Sequence, residues 1–152
     1  MWSPVLWKKI DVDFFQSNIF KNELASFFFR KLPSSVIQMK LDFENCYWQE
    51  RLDFEDFCMT MKQRCPYLHT LNFYLAFFSV DLPTMINMCS EFLPNLKVLI
   101  LESVFGDESK EREYHGLSKI EILDVSQCGN VRLGPLSKMP YLKKKLFHFY
   151  TS

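Results

Sequence analysis

Apolar residues recur along the chain in a frame of the form apolar-x-x-apolar-x-apolar. Five segments carry this frame, at residues 7–12, 36–41, 68–73, 96–101 and 120–125. Their first positions are separated by 29, 32, 28 and 24 residues. The last two apolar positions of each frame are two residues apart, which places both side chains on one face of a short β-strand. The pattern therefore predicts five short strands of similar design.

Helical patterns lie between these frames. Ser17 is a candidate N-cap for a helix that runs toward Leu32, and Asp53 is a candidate N-cap for a second helix. A third helix is predicted over residues 82–93, with Pro83 in its first turn, where proline is tolerated. Prolines stand two residues before an apolar position at Pro66, Pro94 and Pro140. A helix ends at such a proline and extended chain begins.

A strand and a helix that alternate with a period of about 20 to 29 residues are typical of a leucine-rich repeat, and the longer spacing fits an extended helix. The predicted fold is α/β, a leucine-rich-repeat solenoid of about five repeats with a concave parallel sheet and convex helices. Residues 1–14 are interpreted as a junction with the first strand, residues 15–142 as the repeats, and residues 143–152 as an irregular basic and aromatic tail.

In this fold the frame residues point inward, and the strand residues between them form the concave face. Five strands give a sheet of roughly 20 to 25 Å, wide enough for a peptide segment or part of a protein surface. Tyr74 beside Val98 and Ile100 resembles the centre of an interface; the alternative is that these residues pack under a neighbouring loop. The candidate protein-binding residues are Lys40, Asp42, Asn72, Tyr74, Val98, Ile100, Glu102, Asp124 and Ser126.

Composition narrows the classes of function. The chain has 152 residues, 48% of them hydrophobic, which is enough for one domain with its own core. All four glycines lie at or after Gly106, and no phosphate-cradling glycine motif is present. Eighteen basic and eighteen acidic residues argue against nucleic-acid binding. The apolar stretches are shorter than the ~20 residues of a membrane span, and the N-terminus lacks a signal-peptide pattern. The predicted location is the cytoplasm or the nucleus.

Cysteine and histidine residues suggest no catalytic or metal centre. Five cysteines lie at positions 46, 58, 65, 89 and 128 without a CxxC pair, so we interpret them as reduced, mostly buried thiols. Cys65 and His69 have a metal-like spacing but no second pair, and the structural interpretation is preferred. His115 and His148 have no partner nearby in the sequence that indicates a triad. The sequence predicts neither a cofactor nor an enzyme.

Short motifs give the chain a resemblance to a known family. Residues 6–12 fit the pattern L-W-x-x-[IVL]-D-[LV], residues 65–71 fit C-P-x-L-x-x-L, and residues 93–99 fit L-P-x-L-x-x-L. With this order and spacing, residues 4–140 resemble the F-box/leucine-rich-repeat proteins, in which the first pattern follows the F-box. The resemblance implies substrate recognition in an SCF ubiquitin ligase, with the concave face holding the protein to be modified.

The chain departs from the family at both ends. An F-box would lie before Met1, and residues 142–146 shift the apolar frame by one residue. Both ends therefore resemble cut repeats, whose uncapped surfaces favour self-association. The expected partners are a protein on the concave face and, only if an F-box is supplied, the SCF adaptor. The alternative is a free-standing leucine-rich-repeat scaffold, or a competitive binder that is not linked to ubiquitination.

Overall fold

Six strands and two helices form the described part of the fold. The computed structural model describes residues 8–13, 29–44, 53–78, 80–106, 119–128 and 141–146. The strands are β1 (Lys9–Asp13), β2 (Gln38–Asp42), β3 (Thr70–Tyr74), β4 (Val98–Glu102), β5 (Ile122–Asp124) and β6 (Lys144–Leu146), and the helices are α1 (Phe54–Arg64) and α2 (Leu82–Phe92). Helix α1 lies between β2 and β3, and α2 lies between β3 and β4. The predicted α/β class is confirmed.

The strands form one parallel sheet in which each strand pairs with the next in the chain. The register aligns the apolar frames. One line of paired residues across the sheet consists of Ile10, Met39, Leu71, Leu99 and Leu123, and a second consists of Val12, Leu41, Phe73 and Leu101. From β2 to β5 every residue of these lines is buried, and the residues between them are not. The frames therefore give the sheet one buried face and one face open to solvent.

Capping residues set the bounds of the helices. Asp53 caps α1 as predicted, because its Oδ1 accepts a hydrogen bond of 3.0 Å from the Asp56 N–H. Asp81 caps α2 through a bond of 2.8 Å from the Thr84 N–H. Proline occupies the first turn of α2, and that helix ends one residue before the predicted end. Of the helix predicted from Ser17, residues 17–28 lie outside the described residues.

Helix α1 packs on the buried face of the sheet through an aromatic cluster. Phe73 lies at its centre, with ring centroids 5.2 Å from Phe57, 6.0 Å from Phe54 and 5.1 Å from Phe78. Several of these contacts have the edge-to-face geometry that aromatic pairs prefer. The buried residues of α2 belong to the same continuous core. The helices consequently cover the side of the frame residues.

The last strand lies where the sequence predicted an irregular tail. Residues 144–146 form β6, which pairs in parallel with β5 and places Lys145 opposite Leu123. Pairing with β5 therefore extends the sheet into the segment that the sequence interpretation assigned to the tail. The charged segment from Gly106 to Gly116 has no apolar stripe, so the sequence predicts a solvated loop or a short exposed helical turn there; it lies almost wholly outside the described residues.

A substitution at the centre of the buried lines tests this register. Leu99 is fully buried between Leu71 and Leu123, so Leu99→Ala should lower the free energy of unfolding by about 2 to 5 kcal/mol. Gln38 lies on the exposed side of β2, and Gln38→Ala should change it by less than about 0.5 kcal/mol. Urea unfolding monitored by circular dichroism measures both values. Equal losses in the two variants would contradict the assigned faces.

Candidate protein-binding face

The side of the sheet opposite the helices is the candidate functional surface, here named the open face. Its members are the strand residues between the buried lines, and each is half-buried or exposed. They are Lys9, Asp11, Gln38, Lys40, Asp42, Thr70, Asn72, Tyr74, Val98, Ile100, Glu102, Ile122 and Asp124. Parallel pairing sets them in rows, because residues at the same position of neighbouring strands lie about 4.8 Å apart. Neighbouring strands therefore contribute side by side to one surface.

Aliphatic residues gather at one part of this face. Val98 on β4 pairs directly with Ile122 on β5, and Ile100 lies two residues after Val98 on the same side of β4. All three side chains are half-buried. Side chains in such direct and diagonal relations contact one another across a sheet. These three residues form a continuous apolar patch within an otherwise polar face.

Two carboxylates border the apolar patch at the carboxyl ends of the strands. Glu102 lies two residues after Ile100, and Asp124 pairs directly with Ile100. Asp124 also accepts a hydrogen bond of 2.9 Å from the Ser126 N–H. Among the side chains that the structure describes, neither carboxylate forms a salt bridge. This side of the patch therefore carries negative charge that no described cation neutralises.

At the opposite side of the patch, two lysines lie near one carboxylate. Glu121 precedes β5, and its two carboxylate oxygens lie 3.9 Å from Lys97 Nζ and 3.3 Å from Lys143 Nζ. The Glu121 carboxylate thus forms salt bridges with two lysines at the amino ends of the strands, and the net charge there is positive. The patch accordingly lies between a basic side and an acidic side.

Most of the predicted binding residues lie on the open face. Lys40, Asp42, Tyr74 and the patch and carboxylate residues are half-buried there. Asn72 also lies on this face, but its Oδ1 atom is buried and has no hydrogen-bond partner among the described residues. Such an atom carries a desolvation cost that a full hydrogen bond would offset.

The prediction for Ser126 is wrong. Its side chain is only 5% exposed, and β5 ends before it, at Asp124. The chain turns at this point, with a positive φ of 61° at Gln127, and the Ser126 carbonyl accepts a hydrogen bond of 2.9 Å from the Ser103 N–H. The turn removes Ser126 from the strand alternation, so it does not contribute to the open face.

An exposed aromatic pair was missed by the sequence interpretation. Phe77 and Phe105 follow β3 and β4, are 44% and 39% exposed, and stack with ring centroids 5.0 Å apart. They form an isolated parallel bridge. The two residues are 28 positions apart, the same spacing as the frames that begin at residues 68 and 96. Extending the repeat beyond its apolar frame would have revealed them.

The described cysteines are buried, as predicted. Cys58, Cys65, Cys89 and Cys128 are all inaccessible. A hydrogen bond with Cys89 and burial raise the pKa of the Cys58 thiol well above its ordinary value. Burial raises the pKa of Cys65 and of Cys128 to about 11. The thiols of Cys58, Cys65 and Cys128 therefore remain protonated near neutral pH and are poor nucleophiles.

Cys65 and His69, which have a metal-like spacing in the sequence, lie in different environments in the fold. Cys65 is buried, and its Sγ donates to the Pro33 carbonyl at 3.7 Å. His69 is exposed, and its Nδ1 lies 3.1 Å from Thr70 Oγ1. In the part of the chain that is described, no group of three His, Cys, Asp or Glu residues is placed to hold a metal ion. His115 and His148 lie outside the described residues.

The described residues contain no membrane-spanning helix, and no related protein was found. Among the described residues, no helix has both the length and the apolar character needed to cross a membrane. Comparisons with protein-family models, with curated proteins and with solved structures found no match to the chain. The open face is accordingly interpreted from its own geometry and charge.

Burial of the thiols predicts a loss of stability at alkaline pH. The folded Cys128 thiol holds its proton up to a pKa of about 11, whereas the ordinary value of 9.0 applies when the chain unfolds. Between these values the unfolded state binds fewer protons, so the free energy of unfolding should fall as the pH rises from about 9 to 11. Urea unfolding across this range, with reductant present, measures the fall.

The matched variant for this measurement is Cys128→Ala. It should be less stable at pH 8, because it loses the bond of 2.6 Å from Sγ to the Leu101 carbonyl, but its stability should fall less steeply above pH 9. The same slope in both proteins would show that Cys128 does not contribute to the alkaline loss.

Proposed function

We propose that the chain is a leucine-rich-repeat module that binds a protein. The repeat interpretation is supported by a position beyond the apolar frames. The general leucine-rich-repeat pattern is L-x-x-L-x-L-x-x-N/C, with the last residue eight positions after the first. In three repeats of this chain that position holds Ala76, Val104 and Cys128, each of them buried. Cys128 matches the pattern and uses its Sγ to hydrogen-bond the carbonyl of Leu101 in the neighbouring repeat.

Repeated backbone contacts also support stacked repeats. The residue just before each strand accepts hydrogen bonds from two successive N–H groups of the next repeat. Lys8 accepts from Ile37 and Gln38, and His69 accepts from Lys97 and Val98, at 2.8 to 3.1 Å. The carbonyls of Ile37 and Lys97 act in the same way. In solenoid proteins each repeat contacts mainly its neighbours, and these bonds provide such a contact at every step.

The proposed binding surface is the open face. The observation that carries this proposal is the apolar patch of Val98, Ile100 and Ile122 beside carboxylates that no described residue neutralises. An apolar centre with a charged rim is the usual anatomy of a protein-binding surface. The thiols of Cys58, Cys65 and Cys128 are buried and protonated, which makes them poor nucleophiles.

The biological role that we propose is substrate recognition for an SCF-type ubiquitin ligase, in the cytoplasm or the nucleus. It rests on the family resemblance of residues 4–140, whose repeat spacing is most similar to that of F-box/LRR-repeat protein 12. A free-standing scaffold or competitive binder is the second candidate. It is favoured if the repeats bind their partner without any link to ubiquitination.

Affinity capture from cell extract tests the binding surface. We expect the full chain to retain specific proteins and Ile100→Asp to lose them, since a buried charge would disrupt the apolar patch. Met59→Asp is the matched control, because Met59 is 47% exposed on α1, on the far side of the protein. Thermal unfolding verifies that both variants fold. Identical captured sets from Ile100→Asp and the wild type would place binding elsewhere.

A second experiment separates the two candidate roles. The repeats alone should fail to bind the SCF adaptor, and an F-box joined ahead of Trp2 should restore that binding. Proteins lost from the Ile100→Asp capture should also accumulate in cells when cullin-based ubiquitin ligases are inhibited. Unchanged abundance of those proteins would favour the scaffold, and adaptor binding without the F-box would contradict the proposed division of the chain.

A further inference from the structure

The charge around the apolar patch points to the chemistry of the partner. We propose that the open face binds a linear segment of a partner protein in which an aliphatic or aromatic residue is accompanied by Arg or Lys. This inference rests on the proposed function, since it specifies what the open face recognises. The aliphatic or aromatic residue would contact Val98, Ile100 and Ile122, and the basic residue would contact Glu102 and Asp124.

The position of the carboxylates fixes how these two features must be arranged. Glu102 follows Ile100 by two residues on β4, and Asp124 follows Ile122 by two residues on β5. Two residues of a strand span about 6.6 Å, so Glu102 lies beyond Ile100 along β4, and Asp124 lies beside Ile100 at the same end of the patch. An extended segment reaches this distance with the side chain two residues away, and a helical segment reaches it with the third or fourth. The basic residue should therefore lie two to four residues from the apolar one.

The distribution of cations decides the sign of the partner's charge. At the amino ends of the strands, Lys97 and Lys143 already neutralise Glu121. Among the residues whose side chains the structure describes, no lysine or arginine forms a salt bridge with Glu102 or Asp124. A basic side chain gains attraction from both carboxylates, whereas an acidic one is repelled next to the patch. Arg has the further advantage that its planar guanidinium can bind a carboxylate through two hydrogen bonds.

A randomised peptide-display library selected on the full-length chain tests the proposal. We expect enriched peptides to carry Leu, Ile, Met or an aromatic residue with Arg or Lys two to four positions away. Their affinity should decrease as the salt concentration rises, because exposed charge pairs are screened. Enrichment of acidic residues in these positions, or no enriched sequence at all, would overturn the proposal.

Variants of the chain then locate the contact for one enriched synthetic peptide. Glu102→Gln and Asp124→Asn remove charge while nearly keeping shape, and each should weaken binding about two- to tenfold. Replacing the basic residue of the peptide with norleucine should remove the difference between wild type and these variants. Glu91→Gln is the matched control, because Glu91 is an exposed carboxylate on α2, and it should leave the affinity unchanged.

A variant of the patch distinguishes failure of this inference from failure of the proposed function. Ile100→Ser should weaken binding strongly, and Met59→Ser should not. If Ile100→Ser abolishes binding but the carboxylate variants have no effect, the open face binds a partner of different charge, and only the present inference is wrong. If peptides bind equally to all variants, the open face is not their site and both proposals lose support. Circular dichroism and thermal unfolding confirm that each variant is folded.

Discussion

The in-register parallel ladder is the constraint on which the rest of the structure depends. Successive strands place identical frame positions opposite one another, as in the pairing of Leu71 with Leu99 and of Leu99 with Leu123. Side chains alternate between faces along a strand, so a shift of one residue would turn every buried frame residue toward solvent. The burial of the frames and the exposure of the open face are therefore two results of the same register.

Aromatic packing places the helices on one side of the sheet only. The Phe73 ring contacts Phe54 and Phe57 on α1 and Phe78 in the segment after β3. Because these large side chains lie on the frame side, α1 covers that side, and the buried residues of α2 belong to the same core. The polar residues between the frames remain on the opposite surface. Core packing thus leaves a broad face of side chains available without the need for a separate binding loop.

Sequence reasoning succeeded where one residue type has a local effect. The alternation of frame residues predicted the faces of β2 to β5, and Asp53 predicted the start of α1, because strand alternation and N-capping depend on a few adjacent residues. It failed where the neighbouring repeat decides the conformation. Leu75, Ser103 and Gln127 all adopt positive φ without being glycine. Hydrogen bonds to the adjacent repeat from the Leu75 and Ser103 N–H groups accompany two of these turns.

The same dependence on neighbouring strands limits what the sequence predicts about the open face. Val98, Ile100 and Ile122 were recognisable as outward strand positions, but their union into one patch depends on the pairing of β4 with β5. The charge beside the patch depends likewise on which lysines the neighbouring strands bring close, since Lys97 and Lys143 both form salt bridges with Glu121. A repeat fold builds such a surface from residues about 20 to 30 positions apart, each unremarkable in its own segment. The specificity that we propose for the open face consequently depends on how the strands pair, because its residues come from neighbouring strands.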